Sequence, residues 1–221
     1  MTNARFLTLL GAGLAAIFAA FCLWQSPGII SGKLSAGEIA YHLGVADKQL
    51  TFPGDSKVRI LARMKAWAEA DDGKPFYMLN LMRHYQQLRQ LPGAPIFNGT
   101  PQQANAYYEA MVTGMLVRNG GSLPYGSKIE GPALIPVGTD PALDGWSRVL
   151  LVRYPNRRAF LQLLSDPAYA PLEPYKMMAL EVLLVPTSGD IVLPDLRALC
   201  GAALLMLFLL TGWIRSARTP S

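Results

Sequence analysis

The stretch GKPFYMLNLMRHY, residues 73–85, sets Asn80, Arg83 and His84 within and at the end of an otherwise apolar run. Side chains alternate across a strand, so Phe76, Met78, Asn80, Met82 and His84 share one face while Tyr77, Leu79, Leu81, Arg83 and Tyr85 share the other. A second run, WSRVLLVRY at 146–154, carries Arg148 and Tyr154 on one face and Arg153 on the opposite one. A buried Asn has four hydrogen-bonding sites to satisfy, and a pocket ligand or a water is one way to do so. Asn80 and Arg148 are therefore candidate ligand-binding residues. The competing reading has Asn80 and Arg83 tying strand ends and dimer contacts.

The surrounding elements decide which faces meet. After a short amphipathic helix at 35–46, a helix begins at Asp55 or Ser56 with Val58, Leu61, Met64 and Ala68 at helical spacing, and Gly73 and Pro75 end it. Strands follow at 76–82, 122–130, 146–154 and 179–185. Between them lie a helix at 102–118, closed by Asn119-Gly120-Gly121, and a helix capped by Asn156 that stops at Asp166-Pro167. The order β-α-β-β-α-β predicts an α+β, ferredoxin-like four-stranded antiparallel sheet with both helices on one face. On that arrangement Asn80 and His84 are expected on the face opposite the helices. An apolar sheet face cannot be left in water, so a second copy of the chain or another protein is expected to cover it.

Half of the residues (51%) are hydrophobic and only 16% are charged, and the apolar excess is concentrated at the two ends. Residues 6–24 and 198–214 contain no charge, and helices of that length approach the ~30 Å hydrocarbon core of a bilayer. Both read as transmembrane helices, with Trp24 and Trp213 at the headgroup level. A cleaved signal peptide is the alternative for the first, but no small-x-small cleavage site follows it. Arg5 before the first span and Arg215 and Arg218 after the second predict cytoplasmic termini and an extracytoplasmic central domain in the plasma (inner) membrane. The remaining seventeen basic side chains face fifteen acidic ones, which leaves the centre near +2 and no excess to grip a phosphate backbone. Nucleic acid is not an expected partner. Predicted boundaries are thus a cytoplasmic 1–5, span 6–24, linker 25–54 with a short helix, domain 55–189, linker 190–197, span 198–214 and tail 215–221.

Within the spans, GAGLAA at 11–16 mimics a dinucleotide loop, but no strand precedes it. Gly11, Ala15 and Ala19 instead form a small-xxx-small packing face, matched by Ala198 and Ala202 on the second helix. Cys22 and Cys200 lie at similar depth; packing in lipid or between helices is the simpler reading, a disulfide the other. Asn98-Gly99-Thr100 reads as a turn, and Arg157-Arg158 as a solvated face.

The segments YMLNLMRHY (77–85), Gly120-Gly121, Trp146 and VLLVRYPNRRAFLQLLSDPAY (149–169) resemble the domain-of-unknown-function family thirteen-thirty, over about 76–185. That family belongs to the dimeric α/β-barrel superfamily, which includes antibiotic-biosynthesis monooxygenases and haem-degrading enzymes. The resemblance implies, if the chain is an enzyme, Asn80 as polariser, Trp146 as stacking wall, and His84 or Tyr154 as proton relay. The haem version would need a His well after the first strand, and none follows His84. The same scarcity argues against a zinc site, so no metal or cofactor is expected. The expected function is a membrane-anchored accessory or scaffold protein whose domain binds a partner protein or small ligand, in preference to an enzyme. The alternative is a membrane-tethered, cofactor-independent oxygenase or isomerase of a small lipophilic substrate. Expected partners are the bilayer and either a second copy or other membrane subunits.

Overall fold

The computed structural model describes residues 2–51, 54–138, 140, 144–189 and 195–217. Arg218 and residues 190–194 of the predicted second linker lie outside the described residues. The first helix, α1 (Asn3–Gln25), is capped by Thr2, whose side chain accepts from the Arg5 N–H. After a single turn, α2 (Gly28–Ser31), come α3 (Ala36–Gln49) and α4 (Gly54–Glu69). Ser35 and Glu38 cap α3 reciprocally, which explains its sharp start. The buried stripe of α4 is Leu61, Met64, Trp67 and Ala68; Val58 points to solvent.

Strand β1 (Phe76–His84) leads to α5 (Pro101–Arg118), where Thr100 and Gln103 form a second capping box and Pro101 occupies the first turn. The chain then reverses at Gly120, whose φ of +74° is a left-handed conformation that a side chain would oppose. Strands β2 (Ser122–Lys128) and β3 (Arg148–Tyr154) follow, then α6 (Arg157–Leu164), α7 (Glu173–Ala179), β4 (Leu180–Thr187) and α8 (Leu196–Ala217). Asn156 caps α6 by accepting from the Ala159 N–H at 2.9 Å, as its sequence position predicts.

The four strands form one antiparallel sheet in the order β2-β3-β1-β4, so the protein is α+β with an apolar helix at each end of the described chain. Asn80 stands opposite Leu150 on one side and Leu184 on the other. One sheet face carries Phe76, Met78, Met82, Val152 and Tyr154, all buried in the core shared with the helices. Phe76 stacks on Tyr154 at 5.2 Å between ring centres, and Trp67 and Phe160 meet the pair edge-on. The opposite face presents Leu79, Leu81, Val149, Leu151, Leu183 and Val185, none of them buried.

Helices α1 and α8, of 23 and 22 residues, are long and apolar enough to cross a membrane. They pack as a hairpin, but not through the predicted faces. Ala19, Ala198 and Ala202 are exposed. The seam instead pairs glycine with phenylalanine twice. A Cβ on Gly11 would lie 3.3 Å from the Phe208 ring, and one on Gly201 would lie 3.2 Å from the Phe18 ring. Gly11 belongs to both the predicted and the observed seam, and Ala15 borders the groove beside it. Large rings need the holes that glycines leave, so ring-into-glycine contacts replace small-on-small ones. At the far end Arg215 lies 4.1 Å above the Phe6 ring and donates to Asn3 Oδ1. Cys22 and Cys200 are both free thiols.

Candidate ligand cavity and juxtamembrane junction

Asn80 lies on the helix-facing side of the sheet, not on the opposite face where the ferredoxin-like arrangement predicts it. Its amide donates to the Met78 and Leu150 carbonyls at 3.0 and 3.4 Å, and its Oδ1 accepts from Lys176 Nζ at 3.3 Å. Both apolar sets of β1 were bulky enough to be buried, so periodicity could not choose between them. The helices chose Phe76, Met78 and Met82. Lys176 comes from α7, an element the sequence reading did not anticipate. It is only 7% exposed and lies 5.3 Å from the Tyr108 ring centre. Burial pulls its pKa down to about 8, against the opposing pull of Glu109 and Glu173.

Between the sheet and helices α5, α6 and α7 lies a cavity of about 110 Å³. Its polar lining includes Asn80, Lys176, Arg148, Glu109, Thr113 and Tyr108; its apolar lining includes Val112, Leu163 and Leu164. Arg148 Nη2 donates to Glu109 at 2.7 Å, and this half-exposed pair stands on the solvent side. Arg148 Nε is buried and has no hydrogen-bond partner among the described residues. The Tyr108 and Tyr169 hydroxyls meet at 3.1 Å beside the same space.

The structure therefore brings together Asn80, Arg148 and Tyr154 and leaves His84 and Trp146 outside the cavity. Tyr154 is an aromatic wall, not a relay: burial pushes its phenol far above neutral pH. His84 Nδ1 is 3.1 Å from Ser147 Oγ, which itself donates to the Met82 carbonyl, so the imidazole is the donor in that contact. Burial first and Arg148 second lower the His84 pKa. Its role is to fasten the end of β1. Trp146 lies 5.4 Å from the Arg83 guanidinium, which also bonds Glu181 at 2.6 and 3.0 Å and the Asp144 carbonyl. Arg83 and Asn80 occupy opposite faces, which separates Trp146 from Asn80 by the thickness of the sheet. Among the described residues, no three His, Cys, Asp or Glu side chains gather as a metal site would require.

A second polar cluster joins the hairpin to the sheet. Arg153, 6% exposed at the end of β3, donates to Gln25 Oε1 at 2.8 Å and to the Gln25 carbonyl at 2.9 Å. Gln25 in turn donates to the Gly120 carbonyl, and Arg197 of α8 reaches Ser26 Oγ at 3.1 Å. A side chain on Gly120 would collide with the Trp24 carbonyl, a second reason for glycine there. Residues 25–33 are thus part of a built junction and not a free linker. Arg158 belongs to it as well, bonding Glu38, Ser31 Oγ and the Gly32 and Lys33 carbonyls. Arg157 bonds the Trp67 carbonyl and lies 5.1 Å from its ring. The pair predicted as a solvated face is a set of internal staples.

No protein-family profile matches the chain, and no curated protein does. Among solved structures, a protein of unknown function from Rhodopseudomonas palustris shares 22% identity over 62% of this chain and 95% of its own, with a TM-score of 0.49. The methylated form of that protein aligns at 22% identity over 66% of this chain and 98% of its own, with a TM-score of 0.50. The likeness to the methylated protein is one of fold.

Proposed function

We propose that the chain is a membrane-anchored accessory or scaffold protein that holds an extracytoplasmic domain against the bilayer and offers its open sheet face to a partner. The reading takes residues 76–185 as a ferredoxin-like domain of the dimeric α/β-barrel type, resembling family thirteen-thirty. The strand order β2-β3-β1-β4 and the helices gathered on one face support it. Arg5 and Arg215, at the ends of α1 and α8 remote from the domain, support cytoplasmic termini by the positive-inside rule. Partners are a second copy of the chain or other subunits of a membrane complex.

The observation that carries this reading is the apolar face of Leu79, Leu81, Val149, Leu151, Leu183 and Val185, with Leu183 44% exposed. Four strands about 4.8 Å apart and about seven residues long give a face of roughly 400 Å². A stable interface buries about 800 Å² per partner, so the strands alone fall short. Elsewhere on the surface, Leu134, Ile135 and Val137 after β2 are 94%, 82% and 81% exposed. Apolar side chains held out in this way are what an interface would bury.

The test is mass determination of the full chain in lipid nanodiscs, alongside the Leu151→Glu variant. The reading expects two copies per particle, or one copy with a stoichiometric partner, and release to a folded single chain on substitution. A wild-type single chain whose sheet face exchanges amide hydrogens no more slowly than in the variant would sink it.

A further inference from the structure

The buried cavity, which owes nothing to whether the sheet face finds a partner, has the chemistry of a binding site. An ammonium group carries three donors, and the Lys176 amine uses one, on Asn80 Oδ1. Burying a charge with so little hydrogen bonding is costly. Neither nearby carboxylate accepts from it in the described contacts: Glu109 is engaged with Asn105 and Arg148, and Glu173 takes the Thr51 hydroxyl at 2.6 Å. On the other side the Arg148 Nε–H is buried without an acceptor. Buried donors are nearly always satisfied in folded proteins, so two cations lining one space and lacking acceptors point to a missing anionic group.

Charge sets its valence. Lys176 and Arg148 against Glu109 leave the lining one positive charge in excess, which suits a monoanion and not a phosphate dianion. Most of the rest of the lining, including Val112, Leu163 and Leu164, is hydrocarbon and favours a short apolar tail, with Thr113, Tyr154 and Tyr169 adding hydroxyl-bearing side chains. Volume sets its length. An engineered apolar cavity of about 150 Å³ accepts benzene, with six carbons, so 110 Å³ suits a compact acid of about two or three carbons. We propose that the cavity between the sheet and helices α5, α6 and α7 binds a small monocarboxylate, its carboxylate accepting from Lys176 and Arg148 and its hydrocarbon lying against α5 and α6.

The experiment is isothermal titration of the full chain in nanodiscs with propionate, propan-1-ol and propylamine as probes. Saturable one-to-one binding of propionate is expected, with propanol at least tenfold weaker and propylamine silent. Lys176→Met should weaken propionate at least tenfold and leave propanol unchanged. Should that variant fail to fold, Val112→Phe carries the test: it fills the apolar end, leaves the charges in place, and should abolish binding of both propionate and propanol. Absence of saturable propionate binding, equal affinity for propionate and propanol, or full propionate binding by either folded variant overturns the proposal. A failed titration beside a dimeric particle would refute the cavity assignment and leave the scaffold reading intact.

Discussion

Lys176 carries its amine into the interior at 7% exposure, and pH is the way to read it. The unfolded lysine keeps its proton to about pH 10.5, whereas the folded one releases it near 8. Between those values the unfolded chain binds more protons, so stability rises with pH, by at most about 1.4 kcal/mol per pH unit. The groups that face it are Glu109 on α5, Glu173 on α7 and Arg148 on β3, and burial raises the Glu173 carboxyl above its ordinary value. The buried phenols of Tyr108, Tyr154 and Tyr169 are pushed up and act in the opposite sense from about pH 10. Denaturant unfolding of the ligand-free protein from pH 7.5 to 9.5 should therefore show stability climbing above pH 8. Lys176→Met should remove that climb, and identical slopes for the two proteins would contradict the account.

At the scale of elements, the terminal hairpin separates composition from packing. Apolar length identified α1 and α8 from their residues, because any helix of that composition must escape water. Which stripe of each helix meets the other depended on ring-to-glycine fit. Spin labels at Thr2 and Ser216, in a background lacking Cys22 and Cys200, report that fit. Gly201→Leu drives a side chain into the Phe18 ring and should broaden the distance distribution, at a cost of about 1–3 kcal/mol to the helix pair. Ala202→Leu, on the exposed side, should leave it unchanged. The reverse result would restore the small-xxx-small face. The same division appears in the domain. The cap at Asn156 was readable because a cap is a local contact between a side chain and the next turn; Ser35 and Thr100 cap α3 and α5 by the same local contact. The seven residues of α7 carried no comparable signal: no side-chain cap opens the helix, and it is too short for an apolar stripe to recur.

For the molecule as a whole, the junction ties the terminal helix pair to the sheet. Hydrogen bonds to a buried guanidinium contribute about 1.5–3 kcal/mol each way they are broken. Arg153→Ala should accordingly loosen the domain from its anchor, raising amide exchange in residues 26–34 while β1 and β3 stay protected. Unchanged exchange there would mean that the hairpin and sheet are held by other contacts. A rigid mount suits a scaffold, since a partner docked on the sheet face would then be held in a set orientation to the bilayer. The block RYPN…DPAY is spent on this framework: Arg153 holds Gln25, Asn156 caps α6, Asp166 accepts from the Ala168 N–H, and Tyr169 meets Tyr108.

The amino-acid order by itself determined where the chain is apolar enough to enter a membrane, which segments become strands, and where most helices begin. Each of these depends on neighbours within a few residues, through hydrophobic run length, alternation and capping. Tertiary structure alone decided that Asn80 faces Lys176, that Trp146 stands with Arg83, and that Arg153 grips Gln25. These pairs are separated by 96, 63 and 128 positions in the chain. No local rule reaches that far; only the closing of the sheet against its helices brings such groups together.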